Sequence, residues 1–334
     1  MKIAFFELEG WEEEFILKNF PEDQVFLSKE KINEFNLPPE NDFEIVSIFV
    51  DSEINAKVLP HFPKMKFLTT RSTGYDHIDL NACRKKGVAV AYVPGYGDNT
   101  VAEFAFGLIL SLTRKIYQAV DRVKENGSFS LKDLRGIDLK GKTIGVIGTG
   151  RIGKEAIKIA KGFGMNVLAY DPTPDKKFKE SVGFDYVAFN DLLKSADIIT
   201  IHCPYNEKTY HLVNKENIEL VKPGAFLINT ARGEIVETEA LVYGLRMKIL
   251  GGVAMDVLEE EGEIKDELNF LTKGHPKEAE LKNMLYNHIL MEMSNVLITP
   301  HNAFNSQEAI QRILSTTVEN IKLFLAGKPT NLLK

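Results

Sequence analysis

Ten short, continuous apolar runs punctuate the chain, at residues 3–6, 45–50, 67–70, 88–92, 144–147, 167–170, 198–202, 225–229, 252–254 and 296–299, with helical segments between them. Strands that are apolar on both faces belong in parallel sheets covered by helices on either side, because a sheet with one wet face alternates apolar and polar positions. The pattern predicts a doubly wound α/β protein with strands enough for two such sheets. Between the halves, residues 99–124 read as one long helix, opened by Asn99-Thr-Val-Ala-Glu103 and stopped at Asn126-Gly127. Its apolar rows suit packing between domains or between subunits. Residues 306–326 read as an amphipathic helix with no strand after it, so it must dock on a sheet already formed. If it returns to the first sheet, the chain crosses between domains near residues 98 and 301, giving one domain of 1–98 completed by 302–334 and another of 99–301.

One turn carries specific chemistry. Gly148-Thr-Gly-Arg-Ile-Gly153 joins the run ending at Ile147 to a helical stretch, and Asp171 closes the next apolar run. This is the fingerprint of a dinucleotide site. The first glycine permits the strand-to-helix turn, Gly150 lets the backbone approach a pyrophosphate, and Gly153 lets helix and strand pack closely. Unpaired N–H groups at the helix start face the phosphates. A carboxylate at Asp171 accepts hydrogen bonds from ribose hydroxyls and repels a 2′-phosphate, which predicts NAD rather than NADP.

Composition narrows the partners. At 334 residues and 44% hydrophobic content the chain suits about two folded domains, and a net charge of −6 without a basic block argues against nucleic acid. The longest nearly uninterrupted apolar stretch, 104–112, is too short to span a bilayer. The first residues, Met1-Lys-Ile-Ala-Phe-Phe6, read as a core strand and not as a secretory signal, so a cytoplasmic location with no membrane partner is expected. Cys83 and Cys203 lie far apart with neither metal-ligand nor disulfide spacing and read as small core hydrophobes.

Four further strand ends present polar groups where a cofactor and its substrate meet in such folds. Asn229-Thr-Ala-Arg232-Gly233 offers a guanidinium that can fork onto a carboxylate. Asp256 is followed by the acidic run Glu259-Glu260-Glu261, two of whose members are expected to be simply solvated. Thr299-Pro300-His301-Asn302-Ala303-Phe304 presents an imidazole on a proline-stiffened turn. Arg71-Ser-Thr73-Gly74-Tyr75-Asp76-His77 has the glycine and exposed N–H groups of an anion-accepting loop.

The order Gly-Thr-Gly-Arg-Ile-Gly, Asn-Thr-Ala-Arg-Gly, Asp-Val-Leu-Glu-Glu-Glu, Thr-Pro-His resembles the D-isomer-specific 2-hydroxyacid dehydrogenases over essentially the whole chain. The resemblance implies a Rossmann-type cofactor domain, a flavodoxin-like substrate domain and a cleft between them. It makes Arg232 the substrate carboxylate clamp, His301 the acid/base and Glu261 its partner, the last chosen over Glu259 and Glu260 because the family's glutamate stands five positions after the strand-end aspartate. A carboxylate beside an imidazole favours the imidazolium, which keeps a proton available for a carbonyl oxygen. NAD is the implied cofactor, and no metal is needed. Its implied contacts include Gly148, Gly150, Arg151, Ile152 and Gly153 of the loop, Asp171, and the strand-end residues His202, Cys203, Pro204, Thr230, Ala231, Arg232, Asp256, His301 and Ala303. Substrate contacts are implied for Thr73 and Gly74 through their backbone, and for Tyr96, Arg232, His301 and Phe304. A homodimer through the 99–124 region is expected.

Two features point within the family. The forty residues from Glu261 to His301 are a longer excursion than many members make, similar to the D-lactate and D-2-hydroxyisocaproate branch, as are Val93-Pro-Gly-Tyr96 and His301-Asn-Ala-Phe304. Two rings around the side-chain pocket suit a methyl group, so reversible reduction of pyruvate to D-lactate is the expected activity. Reduction of 2-ketoisocaproate, glyoxylate or hydroxypyruvate stays open. Formate dehydrogenases resemble this pattern but carry an amide in place of Glu261. The corepressors that use this fold as an NAD-dependent interaction module are the alternative of another class.

Overall fold

The computed structural model describes residues 1–261 and 278–333. They form two compact units, Met1–Tyr96 with Ser306–Lys334 and Gly97–Asn305. The boundaries differ slightly from those expected, for a physical reason. The turn 302–305 stays with the second unit because the Asp256 carboxylate accepts the N–H groups of Asn302 and Ala303 at 2.9 and 2.8 Å.

The first unit is built on β1 (Lys2–Phe5), β2 (Gln24–Leu27), β3 (Ile45–Ile48), β4 (Phe67–Thr70) and β5 (Ala89–Ala91), all parallel in the order β2-β1-β3-β4-β5. This is the flavodoxin-like arrangement. Alternate residues of each strand feed opposite faces: Ile3, Phe5, Ile45 and Phe67 enter one core with Val318 and Ile321, while Ala4, Val46, Ile48 and Leu68 enter another with Phe62 and Cys83. Helices α1 (Glu12–Asn19) and α2 (Leu80–Lys86) belong to this unit, and so does the terminal helix Gln307–Leu325. Ser306 caps the terminal helix by accepting the Ala309 N–H, a contact of about 1 kcal/mol, and Phe324 stacks on Phe67 at 4.3 Å. Beyond it the tail adds an antiparallel bridge from Leu332 to Ala91, which the apolar pattern did not foreshadow.

The second unit holds β6 (Thr143–Ile147), β7 (Asn166–Tyr170), β8 (Asp185–Tyr186), β9 (Ile198–Ile201), β10 (Ala225–Asn229), β11 (Leu250–Met255) and β12 (Val296–Ile298). All pair in parallel, in the order β12-β11-β10-β9-β6-β7-β8. Read from β8, this is the Rossmann order 3-2-1-4-5-6 with one strand added, and the sequence direction reverses between β6 and β9. Helix α3 (Asp98–Thr113) precedes these strands in the chain, and α5 (Arg151–Gly162), α6 (Lys176–Val182), α7 (Phe189–Ser195), α8 (Thr238–Arg246) and α9 (Glu278–Met291) lie between them.

Two expectations need correction. The predicted helix 99–124 is two helices, α3 and α4 (Ile116–Asn126), because Lys115 takes the left-handed conformation at φ 53° and ends the first ladder. Helix α3 is buried along Thr100, Ala105, Phe106 and Ile109, whereas α4 buries none of its residues in this chain. Strands β2 and β8 are additions to the expected set: both are sheet edges whose residues keep partial exposure, β8 is only two residues long, and β2 carries only the short run Val25-Phe-Leu27. No helix among the described residues is long and apolar enough to cross a membrane.

Candidate active site

Five loops leave the carboxyl edge of the second unit's sheet, and the register places them side by side. Ile147 pairs with Ile201, Ile201 with Asn229, Asn229 with Met255, and Met255 with Ile298. The strand ends therefore bring together the glycine loop, His202–Pro204, Thr230–Arg232, Asp256 and His301. In open α/β sheets this edge, at the reversal of strand order, is where ligands bind.

The glycine loop fits a dinucleotide on local geometry. Gly148 has φ +90°, and a Cβ there would stand 2.7 Å from the Cys203 N and 2.8 Å from the His202 carbonyl carbon. Only glycine allows β6 to turn this close to the end of β9. At Gly150, the N-cap of α5, no atom stands within 4 Å of the Cβ position, and no side chain caps the helix. That leaves uncapped helix-start N–H groups beneath open space, the surroundings a pyrophosphate requires. Arg151 pairs with Asp98 at 2.9 Å and Ile152 packs with the core. Asp171 directly follows β7, and its carboxylate braces the loop: it accepts the Thr149 N–H at 2.7 Å, the Thr149 hydroxyl at 3.0 Å and the Thr173 N–H at 2.8 Å.

At the end of β9, His202 Nε2 meets the Thr200 hydroxyl at 2.9 Å. Enclosure pushes its imidazole down to about 4, although the residue keeps partial exposure, so the ring is neutral near pH 7. Burial pushes the Cys203 thiol up to about 11, consistent with a small hydrophobe and not a nucleophile. After β10, the fully buried Asn229 shapes the next turn with both ends of its amide: Oδ1 accepts the Ala231 N–H at 3.0 Å and Nδ2 donates to the Arg232 carbonyl at 2.7 Å. Thr230 is buried beside it, and Arg232 is half-buried in extended backbone, its Nη1 donating to the Ala231 carbonyl at 2.8 Å.

His301 stands on a strained turn. Its φ is +53°, a conformation that costs a non-glycine residue about 1–3 kcal/mol. Asp256 holds the turn: besides Asn302 and Ala303 it accepts the Thr299 hydroxyl, and at 1% exposure it reaches no solvent. Burial pushes its carboxyl up, against the pull of those hydrogen bonds and of the nearby His301. Glu261 meets His301 Nδ1 with Oε1 at 3.1 Å and Oε2 at 3.2 Å. The other ring nitrogen, Nε2, lies on the far side of the imidazole from that carboxylate. Phe304 stands edge-on to the imidazole at 6.5 Å.

The acidic run departs from expectation. Glu259 is 4% exposed and not solvated. It accepts the Thr238 N–H at 2.7 Å, the Thr238 hydroxyl and His211 Nε2 at 2.6 Å. Nothing in the spacing distinguished it from its neighbours. Asn229 and His211 were likewise passed over as site-shaping residues. The stretch 262–277, part of the long excursion before His301, lies outside the described residues.

In the first unit the loop 71–77 is pinned from within. Arg71 is buried, donating to the Phe6 and Glu7 carbonyls at 2.8 and 2.6 Å, and burial lowers its pKa. The Thr73 hydroxyl donates to the Val93 carbonyl at 2.7 Å, while the Thr73 residue itself is exposed and Gly74 half-buried. Tyr96 is half-buried, and its carbonyl accepts Arg312 Nε at 2.6 Å.

Comparison with known proteins agrees with this geometry. The family described as D-isomer specific 2-hydroxyacid dehydrogenase, NAD binding domain, matches residues 106–303. A 2-hydroxyacid dehydrogenase homolog of Zymomonas mobilis is 36% identical over 334 residues, 98% of each chain. An aromatic 2-oxoacid reductase of Clostridium sporogenes is 38% identical over 287 residues, covering 84% of this chain and 83% of that protein. The crystal structure of an Aquifex aeolicus D-lactate dehydrogenase complexed with NAD and lactic acid superposes with a TM-score of 0.84 at 34% identity, covering 98% of this chain and 96% of that one. The chain belongs to the D-isomer-specific 2-hydroxyacid dehydrogenases, near the D-lactate dehydrogenase branch, and is an NAD-dependent enzyme of that family.

Proposed function

We propose that the substrate pair is pyruvate and D-lactate, interconverted with His301 as acid/base. The observation that carries this reading is the His301–Glu261 pair at 3.1 Å, on the sheet edge shared with the Arg232 turn. A carboxylate on Nδ1 fixes the ring and leaves Nε2 to face a carbonyl oxygen. Formate oxidation has no hydroxyl proton to remove, so this pair opposes that alternative. Bound NADH supplies the hydride. Arg232 fixes the substrate carboxylate by two parallel hydrogen bonds and polarises the carbonyl. Asp256 acts through the turn it holds. Thr73 and Gly74 contribute backbone donors to the substrate, and Asp171 selects NAD by meeting ribose hydroxyls.

The protein works as a homodimer on this reading, supported by the row Ile116, Tyr117, Val120 and Val123 on α4, each at least 40% exposed. Solubility of a monomer disfavours so continuous an apolar strip, and light scattering is expected to give twice 37.6 kDa. A cytoplasmic location belongs to the same proposal.

The deciding assay follows reduction of pyruvate, 2-ketoisocaproate, glyoxylate, hydroxypyruvate and phenylpyruvate with NADH and with NADPH, and resolves the product enantiomers. Pyruvate should give the highest kcat/KM, with NADH preferred and D-lactate formed. Higher efficiency on phenylpyruvate or 2-ketoisocaproate would reassign the substrate within the family. Binding of NADH without turnover of any acid would favour the interaction-module reading.

A further inference from the structure

Glu259 is a buried carboxylate whose acceptor positions are taken by groups from separate parts of the second unit. One oxygen meets His211 Nε2 at 2.6 Å, in the loop after β9. The other accepts the backbone N–H at 2.7 Å and the hydroxyl of Thr238, the first residue of α8, where a negative charge also meets the positive end of the helix dipole. The Glu259 backbone carbonyl accepts Nδ2 of the buried Asn287 of α9 at 3.0 Å. A Cβ on Gly233 would collide with the backbone of Leu258 and Glu259, so the residue following Arg232 lies directly against this segment. His211 is itself fixed: Tyr210 stacks on its ring at 3.9 Å, and the His211 backbone N–H donates to the Glu234 carbonyl at 2.8 Å. Two residues beyond Glu259, Glu261 meets His301.

We propose that the Glu259–His211 pair is a positioning device that sets Glu261 against His301 and keeps that pair in register with the Arg232 turn. The inference rests on the proposed role of Glu261. Two residues of chain span at most about 7 Å, so the place where Glu259 is anchored determines where the Glu261 carboxylate can stand. Replacing the Glu259 carboxylate with an amide turns one acceptor oxygen into a donor, so either the Thr238 N–H or the His211 ring loses its acceptor and the segment loosens. A displacement of about 1 Å at a reacting group costs on the order of 100-fold in rate.

The test measures kcat, KM for pyruvate and the pH profile of NADH-dependent reduction for the wild type, Glu259→Gln, His211→Asn, Glu261→Gln and the double variant Glu259→Gln/Glu261→Gln, together with the Kd of NADH. Glu259→Gln should lower kcat about 10- to 100-fold. It should also move the alkaline limb of reduction to lower pH, as Glu261→Gln does, with NADH affinity within about twofold of wild type because the glycine loop is untouched. In the Glu261→Gln background the same substitution should cost less than about threefold, since both changes then act on one contact. His211→Asn should shift the limb in the same direction with a smaller loss, and it carries the test if Glu259→Gln does not fold. Losses that multiply in the double variant, or variants that lose activity with the pH limb unmoved, overturn the positioning role. A wild-type pH limb in Glu261→Gln overturns instead the proton-transfer reading beneath it, and the positioning role with it.

Discussion

Two imidazole–carboxylate pairs, His211–Glu259 and His301–Glu261, lie on the same segment of chain with a single residue between their acids, and they are built to opposite ends. The first is short, at 2.6 Å, and its carboxylate is 4% exposed and saturated by Thr238 as well as by the ring. The second is looser, at 3.1 Å, with side chains 33% and 24% exposed, while both imidazoles sit on left-handed backbone, at φ 47° for His211 and 53° for His301. A carboxylate whose acceptor sites are filled by fixed donors holds structure. A pair whose carboxylate is left partly open to solvent can exchange protons. Residue type alone therefore separates neither role; the surrounding donors do.

The largest effect should come from Arg232, which belongs to neither pair and is proposed to hold the substrate carboxylate. Arg232→Lys keeps the charge and loses the planar fork, so kcat/KM for pyruvate should fall at least about 100-fold while NADH binding hardly changes. Steady-state kinetics with a fluorescence titration of NADH checks both halves. Near-normal turnover would remove Arg232 from the site and leave the two pairs without a substrate anchor to compare.

A third histidine sharpens the contrast through stability. Burial lowers His202 from 6.5 to about 4. Between those values the unfolded chain binds a proton that the folded chain does not, so this contribution is complete above pH 6.5 and is lost as pH falls toward 4. The loss amounts to at most about 3 kcal/mol. Urea unfolding from pH 7 to pH 4.5 should show a steeper decline in wild type than in His202→Asn. Equal slopes would mean that the ring is not enclosed as described.

Much of this architecture was legible from apolar runs alone. Most central strands, such as β3, β4 and β9, are buried on both faces, and burial on both faces is what writes a continuous run into the sequence. The edge strands β2 and β8 keep partial exposure, and they carry only the three-residue run Val25–Leu27 and a two-residue pairing respectively. The break in the 99–124 helix was invisible because it depends on Lys115, a residue with good helix propensity forced to φ 53° by the path of the chain. At the site, spacing singled out Glu261, and it is Glu261 that meets His301. Glu259 was misread as solvated because its partners, Thr238 and His211, lie 21 and 48 positions away in the chain. Long-range pairing of that kind leaves no local pattern.

The central claim is that Glu261 sustains the proton donor, and the pH dependence of both reaction directions in Glu261→Gln tests it most directly. Reduction of pyruvate needs the imidazolium and oxidation of D-lactate the neutral ring. Relative to wild type, the variant should lose reduction at mildly alkaline pH and gain oxidation at lower pH, both limbs moving the same way, while Glu260→Gln keeps the wild-type profiles. Unmoved limbs in Glu261→Gln, or the same shift produced by Glu260→Gln instead, would contradict the account.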